Sequence, residues 1–284
     1  MKPSKVAKFR GFLKKQHSEL IAVKTKHIRN AVAQSKPHKV ATAKLIDKWS
    51  NNGKFDLGKG QTAKKWAAAT AISLSTVMRD SLADSSAEAS QLAVDHLSAL
   101  SDFASDNFDA DPIDIDDAAA EFDDEARLDE LQLKYVGNQK YGAYATLMKL
   151  ATAVLIGSTV EDFAKSIRAE SDDSSDIAAA VFGSIDSRTE TYIRTGTGSV
   201  YGDSMFAAAD SEDLQKRWAT IDPGCDKICH PADGQVVDMD DEFEMGDEST
   251  CDYPPAHPNC DCTWLPWKED WGNTESTDDI KIAA

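Results

Sequence analysis

Residues Ala63–Ala104, AKKWAAATAISLSTVMRDSLADSSAEASQLAVDHLSALSDFA, decide the architecture. The stretch holds neither Gly nor Pro, and Ala and Leu recur through it with Met78 among them, so nothing interrupts a helical backbone. Trp66, Ile72, Val77, Leu82, Leu92 and Leu97 return at near-helical spacing and are predicted to face inward. A helix this long buries its apolar stripe only against other helices, which makes the segment bundle material.

Upstream, Phe9, Phe12, Leu13, Leu20, Ile21, Val23 and Ile28 recur among basic residues and predict an amphipathic helix over Lys5–Val32. Pro37 is expected to end it, with a short second helix over Ala41–Trp49. The turn residues Asn51-Asn52-Gly53 and a Gly-rich link, Gly58 to Gly60, follow. Downstream, Ala143–Ile156 reads as a buried helix; it is short and carries Lys149, so it does not qualify as a membrane span. Gly157 closes it. Ser158 and Glu161 form a capping-box pattern for a helix through Ile167. Another helix is expected from Ser175 to Ile193, ended by Gly196-Thr197-Gly198. Beyond Gln215 the runs Trp218–Ile221, Gln235–Val237 and Thr263–Trp267 look β-like and are separated by loops rich in Pro, Gly, Asp and Cys. The fold class is therefore α+β: a mainly α-helical N-terminal body and a small C-terminal antiparallel β module stapled by a Cys/His knuckle.

Charge divides the chain. Its 284 residues carry a net −18, yet residues 1–65 hold 17 Lys and Arg against only Glu19, Asp47 and Asp56. The remainder holds 46 acidic residues against 14 basic ones. This yields a basic helical arm at 1–60, a helical acidic body at 61–150 and an acidic tail at 268–284. The arm suits an anionic partner such as packaged DNA or an acidic protein surface, although an ordinary solvated helix face has the same composition. The Asp-dense stretch 105–125 lacks the Gly and terminal Glu of a calcium-binding EF-hand in register and reads as solvated acidic surface. The start, Met1-Lys2-Pro3, stays charged through Lys14 and Lys15, and no apolar leader is expected.

All five cysteines, Cys225, Cys229, Cys251, Cys260 and Cys262, fall in the β module together with His230 and His257. Close-spaced Cys and His pairs on two loops are how tetrahedral zinc sites are built. The candidate ligands are Cys225, Cys229, His257, Cys260 and Cys262, with a structural zinc as the expected cofactor. Two other readings stand beside it: disulfides that leave Cys251 odd, or simply buried thiols. No H-E-x-x-H, no H-x-E deaminase pairing and no phosphate-binding G-x-x-x-x-G-K-[ST] occurs, so the expectation is not an enzyme.

Trp218, Asp222, Cys225, Cys229, Asp233-Gly234, Pro254-Pro255 and His257-Pro258-Asn259-Cys260-x-Cys262 form one ordered signature, with Gly157-Ser158 and Arg188-Thr189-Glu190 upstream. This resembles the head-morphogenesis family of minor head proteins typified by phage Mu protein F, over roughly residues 150–267 (a family domain at 151–267). Two features depart from that family's pattern: three residues separate Cys225 from Cys229 where two are usual, and Asp261 stands where Arg is usual. The resemblance implies a minor capsid protein of a tailed virus, in the head interior or near the portal vertex, and in the host cytoplasm during assembly. It implies portal, capsid or scaffold proteins as partners, viral DNA through the basic arm, no membrane, and roles in head assembly and DNA packaging or delivery. The alternatives are a zinc-knuckle nucleic-acid-binding module, against which Asp226, Asp238, Asp240, Asp241 and Asp261 argue by repelling phosphate, and a toxin-related effector using Arg188 and Glu190.

Overall fold

The computed structural model describes residues 5–108, 111–115, 138–209, 214–220 and 227–268. Five helices dominate it: α1 (Lys5–Trp49), α2 (Gly60–Phe108), α3 (Asn138–Ile156), α4 (Val160–Ser166) and α5 (Ser174–Ala208). The C-terminal module is a three-stranded antiparallel sheet in the order β4 (Val236–Asp238), β3 (Gln215–Ala219), β7 (Thr263–Trp267). A two-stranded ladder, β5 (Phe243–Glu244) with β6 (Thr250–Cys251), joins it. The expected class, a helical body followed by a small antiparallel module holding a cysteine cluster, is what the chain adopts.

The chain forms two compact units: Met1–Lys26, Asp84–Asp123 and Arg194–Ala284 make one, and His27–Ala83 with Asp124–Ile193 the other. The first unit's core joins Phe9, Leu13 and Leu20 of α1 to Leu97 and Leu100 of α2, Tyr201 and Met205 of α5, and Trp264 and Trp267 of β7. In the second, Ile46, Trp49, Leu74, Leu147, Leu150, Phe163, Val181 and Phe182 pack together. Each such side chain contributes roughly 1.5–3 kcal/mol when removed from water, so the two clusters outweigh any single polar interaction in the molecule.

Several helix boundaries differ from expectation. Pro37 does not break α1, which runs continuously past it. Proline removes one N–H donor, and here Ala33, Gln34, Lys36 and Pro37 are all exposed, so water satisfies the carbonyl left over. The stripe that α2 buries mixes the small residues Ala63, Ala67, Ala71, Ala89, Ala93 and Ala104 with Leu74, Met78, Leu82, Leu97 and Leu100, so the expected Leu82 and Leu97 do face inward. Ile72, expected inward, is 61% exposed. The cap of α4 is Thr159, whose hydroxyl accepts from Asp162 N, one position later than the Ser158 register. Gly196-Thr197-Gly198 lies buried inside α5 and does not end it.

Other features follow the sequence pattern. Asn52 and Gly53 both take positive φ, 50° and 74°, between β1 (Ser50–Asn51) and β2 (Lys54–Phe55), the pattern of a two-residue hairpin turn that Asn-Gly favours. The helix before Gly157 ends there, with Gly157 at φ 64°. Ile113 N donates to Ser101 Oγ, and most of the remaining acidic stretch, like the tail 269–284, lies outside the described residues. Among the described residues no helix is long and apolar enough to cross a membrane.

Candidate metal centre

The knuckle is assembled around Trp218 of β3. Its indole is fully buried, meets the Phe243 ring edge-on at 5.2 Å, and donates from Nε1 to Thr220 Oγ1. Thr220 Oγ1 in turn donates to the Cys229 carbonyl at 2.9 Å, while Thr220 N donates to Asp233 Oδ1 at 2.8 Å. Gly234 follows at φ 82° and pairs its N–H with the Trp218 carbonyl. One end of the module is therefore fixed by an apolar ring pair and a chain of hydrogen bonds that ends on the first cysteine loop. The second loop reverses direction at His257-Pro258-Asn259-Cys260: Cys260 N donates to the His257 carbonyl, and Asn259 takes φ 63°. Pro at the second and a left-handed Asn at the third position is what a type II turn requires. The Pro254-Pro255 peptide is cis.

These two loops bring Cys229, Cys260 and Cys262 together, all buried, with their ligand atoms within 4.8 Å of one another. Cys229 Sγ and Cys260 Sγ are 3.7 Å apart. A disulfide needs about 2.05 Å, so these two sulfurs are not bonded. Two thiolates on a tetrahedral zinc, each about 2.3 Å from the ion, sit about 3.8 Å apart. The observed spacing is the edge of such a tetrahedron. Hydrogen bonds from the Cys229 and Cys262 thiols hold Cys260 well below the ordinary thiol range, which favours the thiolate a metal takes.

Cys251 behaves differently. Its Sγ donates to the Tyr253 carbonyl at 3.0 Å, and burial pushes the thiol up to about 11. It stands outside the three-sulfur group, a protonated donor in place. His230 is exposed at the start of a short 3-10 turn and also lies outside the group. The same holds for His257, whose Nδ1 lies 2.9 Å from the Pro258 carbonyl oxygen. Cys225 lies outside the described residues, as does Asp222.

Asp261, between two of the clustered cysteines, is 8% exposed and does not face solvent as a repulsive charge. Lys24 Nζ sits 2.9 Å from its Oδ1 and Arg194 Nη1 2.7 Å from its Oδ2. Lys24 is 1% exposed and passes over Gly198, where an added Cβ would stand 3.1 Å from Nζ. Asn259 N donates to Thr195 Oγ1. Sequence reasoning missed Lys24, Arg194, Thr195 and Thr220, all remote from the knuckle or unremarkable in type. The signal present in the sequence was the Asp261 reversal itself, a lone charge between two buried cysteines that demands a cation.

No protein-family model, curated protein or solved structure matches the chain.

Proposed function

We propose that the chain is a structural component of a tailed-virus head, a minor head protein whose C-terminal knuckle holds a structural zinc. The observation that carries this reading is the convergence of Cys229, Cys260 and Cys262 inside the ordered signature, with Cys229 and Cys260 at the spacing of a tetrahedral site. The other signature residues take supporting positions around them: Trp218 as the buried ring, Asp233-Gly234 as the turn that receives Thr220, and Asn259 as the left-handed turn residue. A motif whose members each hold one metal knuckle in shape supports a module used for stability and docking. A fourth ligand would come from Cys225, which lies outside the described residues, or from His257, which would have to turn toward the three-sulfur group. With Nδ1–H on the Pro258 carbonyl, His257 keeps its lone pair on Nε2, the tautomer a ligating histidine uses.

Zinc here supplies folding energy: β4, β5 and β6 have only two or three residues each and bury little area, and a closed metal site holds loops that such strands cannot. Full-length protein prepared without chelator is expected to carry one zinc per chain. Cys229→Ser, Cys260→Ser and Cys262→Ser each lose it, whereas Cys251→Ser retains it. Equal metal content in Cys260→Ser and Cys251→Ser defeats the ligand assignment. The head reading has its own test, mass spectrometry of purified particles against the major capsid protein. A low fixed ratio supports it, and absence from both particles and assembly intermediates rejects it.

The partners follow as part of the same proposal. Portal, capsid or scaffold proteins would meet the helical body, and the exposed cations of α1, among them Lys14, Arg29, Lys36, Lys44 and Lys48, would meet viral DNA.

A further inference from the structure

We propose that metal occupancy of the knuckle controls how firmly residues 13–26 of α1 are held, with Asp261 as the coupling residue. The proposal rests on the zinc reading above. Asp261 has a clustered cysteine on each side, so its backbone cannot keep its place if Cys260 and Cys262 lose theirs. Its carboxylate meets two cations on two different helices, Lys24 of α1 and Arg194 of α5. The helices differ in what else they receive from this loop. α5 takes a second hydrogen bond, Asn259 N to Thr195 Oγ1, and carries Gly202, where an added Cβ would stand 2.9 Å from the Pro254 carbonyl. α1 meets the loop through Lys24 Nζ on Asp261.

Lys24 leaves no room for compromise. Its side chain is 1% exposed, next to buried Val23, so its ammonium cannot exchange the carboxylate for water while α1 stays docked. A buried charge whose partner withdraws is strongly destabilising, because neither solvent nor a second anion replaces the lost interaction. Loss of the metal frees the Cys260-Asp261-Cys262 loop, the carboxylate leaves the two cations, and α1 around Lys24 opens more often. The metal centre thereby reports its state to a segment more than two hundred residues away in the chain. Asp261 acts as a positioning residue in this device, and Lys24 as its receiver.

The test is hydrogen exchange on the full chain, with zinc bound and after chelation, read together with zinc content. Chelation is expected to speed exchange in the knuckle and also in residues 13–26. The acceleration there is on the order of 100- to 1000-fold, the loss expected when one partner of a buried charge pair withdraws. Exchange in α3 stays unchanged. Asp261→Asn is expected to retain zinc yet show fast exchange in residues 13–26 even when loaded. Lys24→Met, which replaces the buried charge with an apolar chain, removes the dependence of that segment on chelation. If the protein binds zinc but chelation opens only the knuckle, the coupling is wrong and the metal reading survives. Zinc-loaded Asp261→Asn with residues 13–26 still protected overturns it as well. A protein that binds no zinc takes down the metal reading and this inference together.

Discussion

His96 shows how a buried polar residue is tolerated in the first core. It is 3% exposed, with Nδ1 at 2.8 Å from Tyr201 Oη and Nε2 at 2.9 Å from Glu19 Oε2, and its carbonyl accepts from Gln16 Nε2. Both ring nitrogens are therefore satisfied in the neutral tautomer that donates to Glu19 and accepts from Tyr201. Burial lowers the His96 pKa, and Glu19 offsets only part of that. A histidine depressed in the folded state contributes stability above its unfolded value of about 6.5, and that contribution is lost as pH falls through the folded value. Denaturant unfolding is expected to weaken below about pH 6.5 more steeply in the native protein than in His96→Gln. Coincident slopes would show that His96 does not set the acid sensitivity. At this scale the candidate site was half legible: cysteine spacing pointed to Cys229, Cys260 and Cys262, because metal ligands cluster in sequence. Lys24 and Arg194 were invisible, because a salt bridge leaves no spacing pattern when its partners lie on different elements.

At the level of elements, close approach separates glycines that matter from those that do not. A Cβ on Gly246 would lie 2.0 Å from the Lys227 carbonyl oxygen, a backbone atom beside the Cys229 loop, where Gly246 N also donates to the Ile228 carbonyl. On Gly142 of α3 it would meet Arg188 Nη1 at 2.1 Å, the far end of a flexible side chain. Gly246→Ala is expected to cost about 1–3 kcal/mol, the usual range for overpacking, and to weaken zinc binding. Gly142→Ala is expected to stay near neutral, because Arg188 can swing aside and Ala gains up to about 1 kcal/mol of helix propensity. Thermal melts and zinc titrations of both variants check this, and similar behaviour in the two would contradict the difference in packing. The elements themselves were legible where a pattern is local: the Asn52-Gly53 turn, the helix closed by Gly157, the strand Thr263–Trp267. They were misread where tertiary packing overrides a local signal. Pro37 continues a helix because its surroundings are wet, and Gly196-Thr197-Gly198 continues one because Lys24 needs the space beside Gly198. The seam of α2 was legible at Leu82 and Leu97, both fully buried, and unseen at its alanines and serines, which carry too little hydropathy to mark a face, yet Ser85 bonds Thr197 and Ser90 bonds Ser204 along it.

For the whole molecule, composition suggested a cationic arm, and α1 also contributes to both cores through Phe9, Leu13, Leu20, Ile46 and Trp49 while leaving Lys14, Lys36, Lys44 and Lys48 exposed and burying Lys24. Lys15 and Lys26 are engaged by Glu19 and Glu88. If the outward cations serve DNA, retention of the full chain on duplex DNA falls with salt. Replacing Lys14, Lys36, Lys44 and Lys48 by Gln then lowers the log–log slope by up to about 0.9 for each phosphate no longer neutralised. Equal retention of both proteins at every salt concentration would exclude these lysines as DNA-binding residues. The pairing of Lys24 with Asp261 spans 237 positions of the chain, which sets a schedule for folding during synthesis. At about 5–20 residues per second, α1 waits on the order of 10–50 s after leaving the ribosome before its buried ammonium finds a carboxylate. For that interval Phe9 also lacks its ring contact with Trp267, so this core closes only once β7 is made.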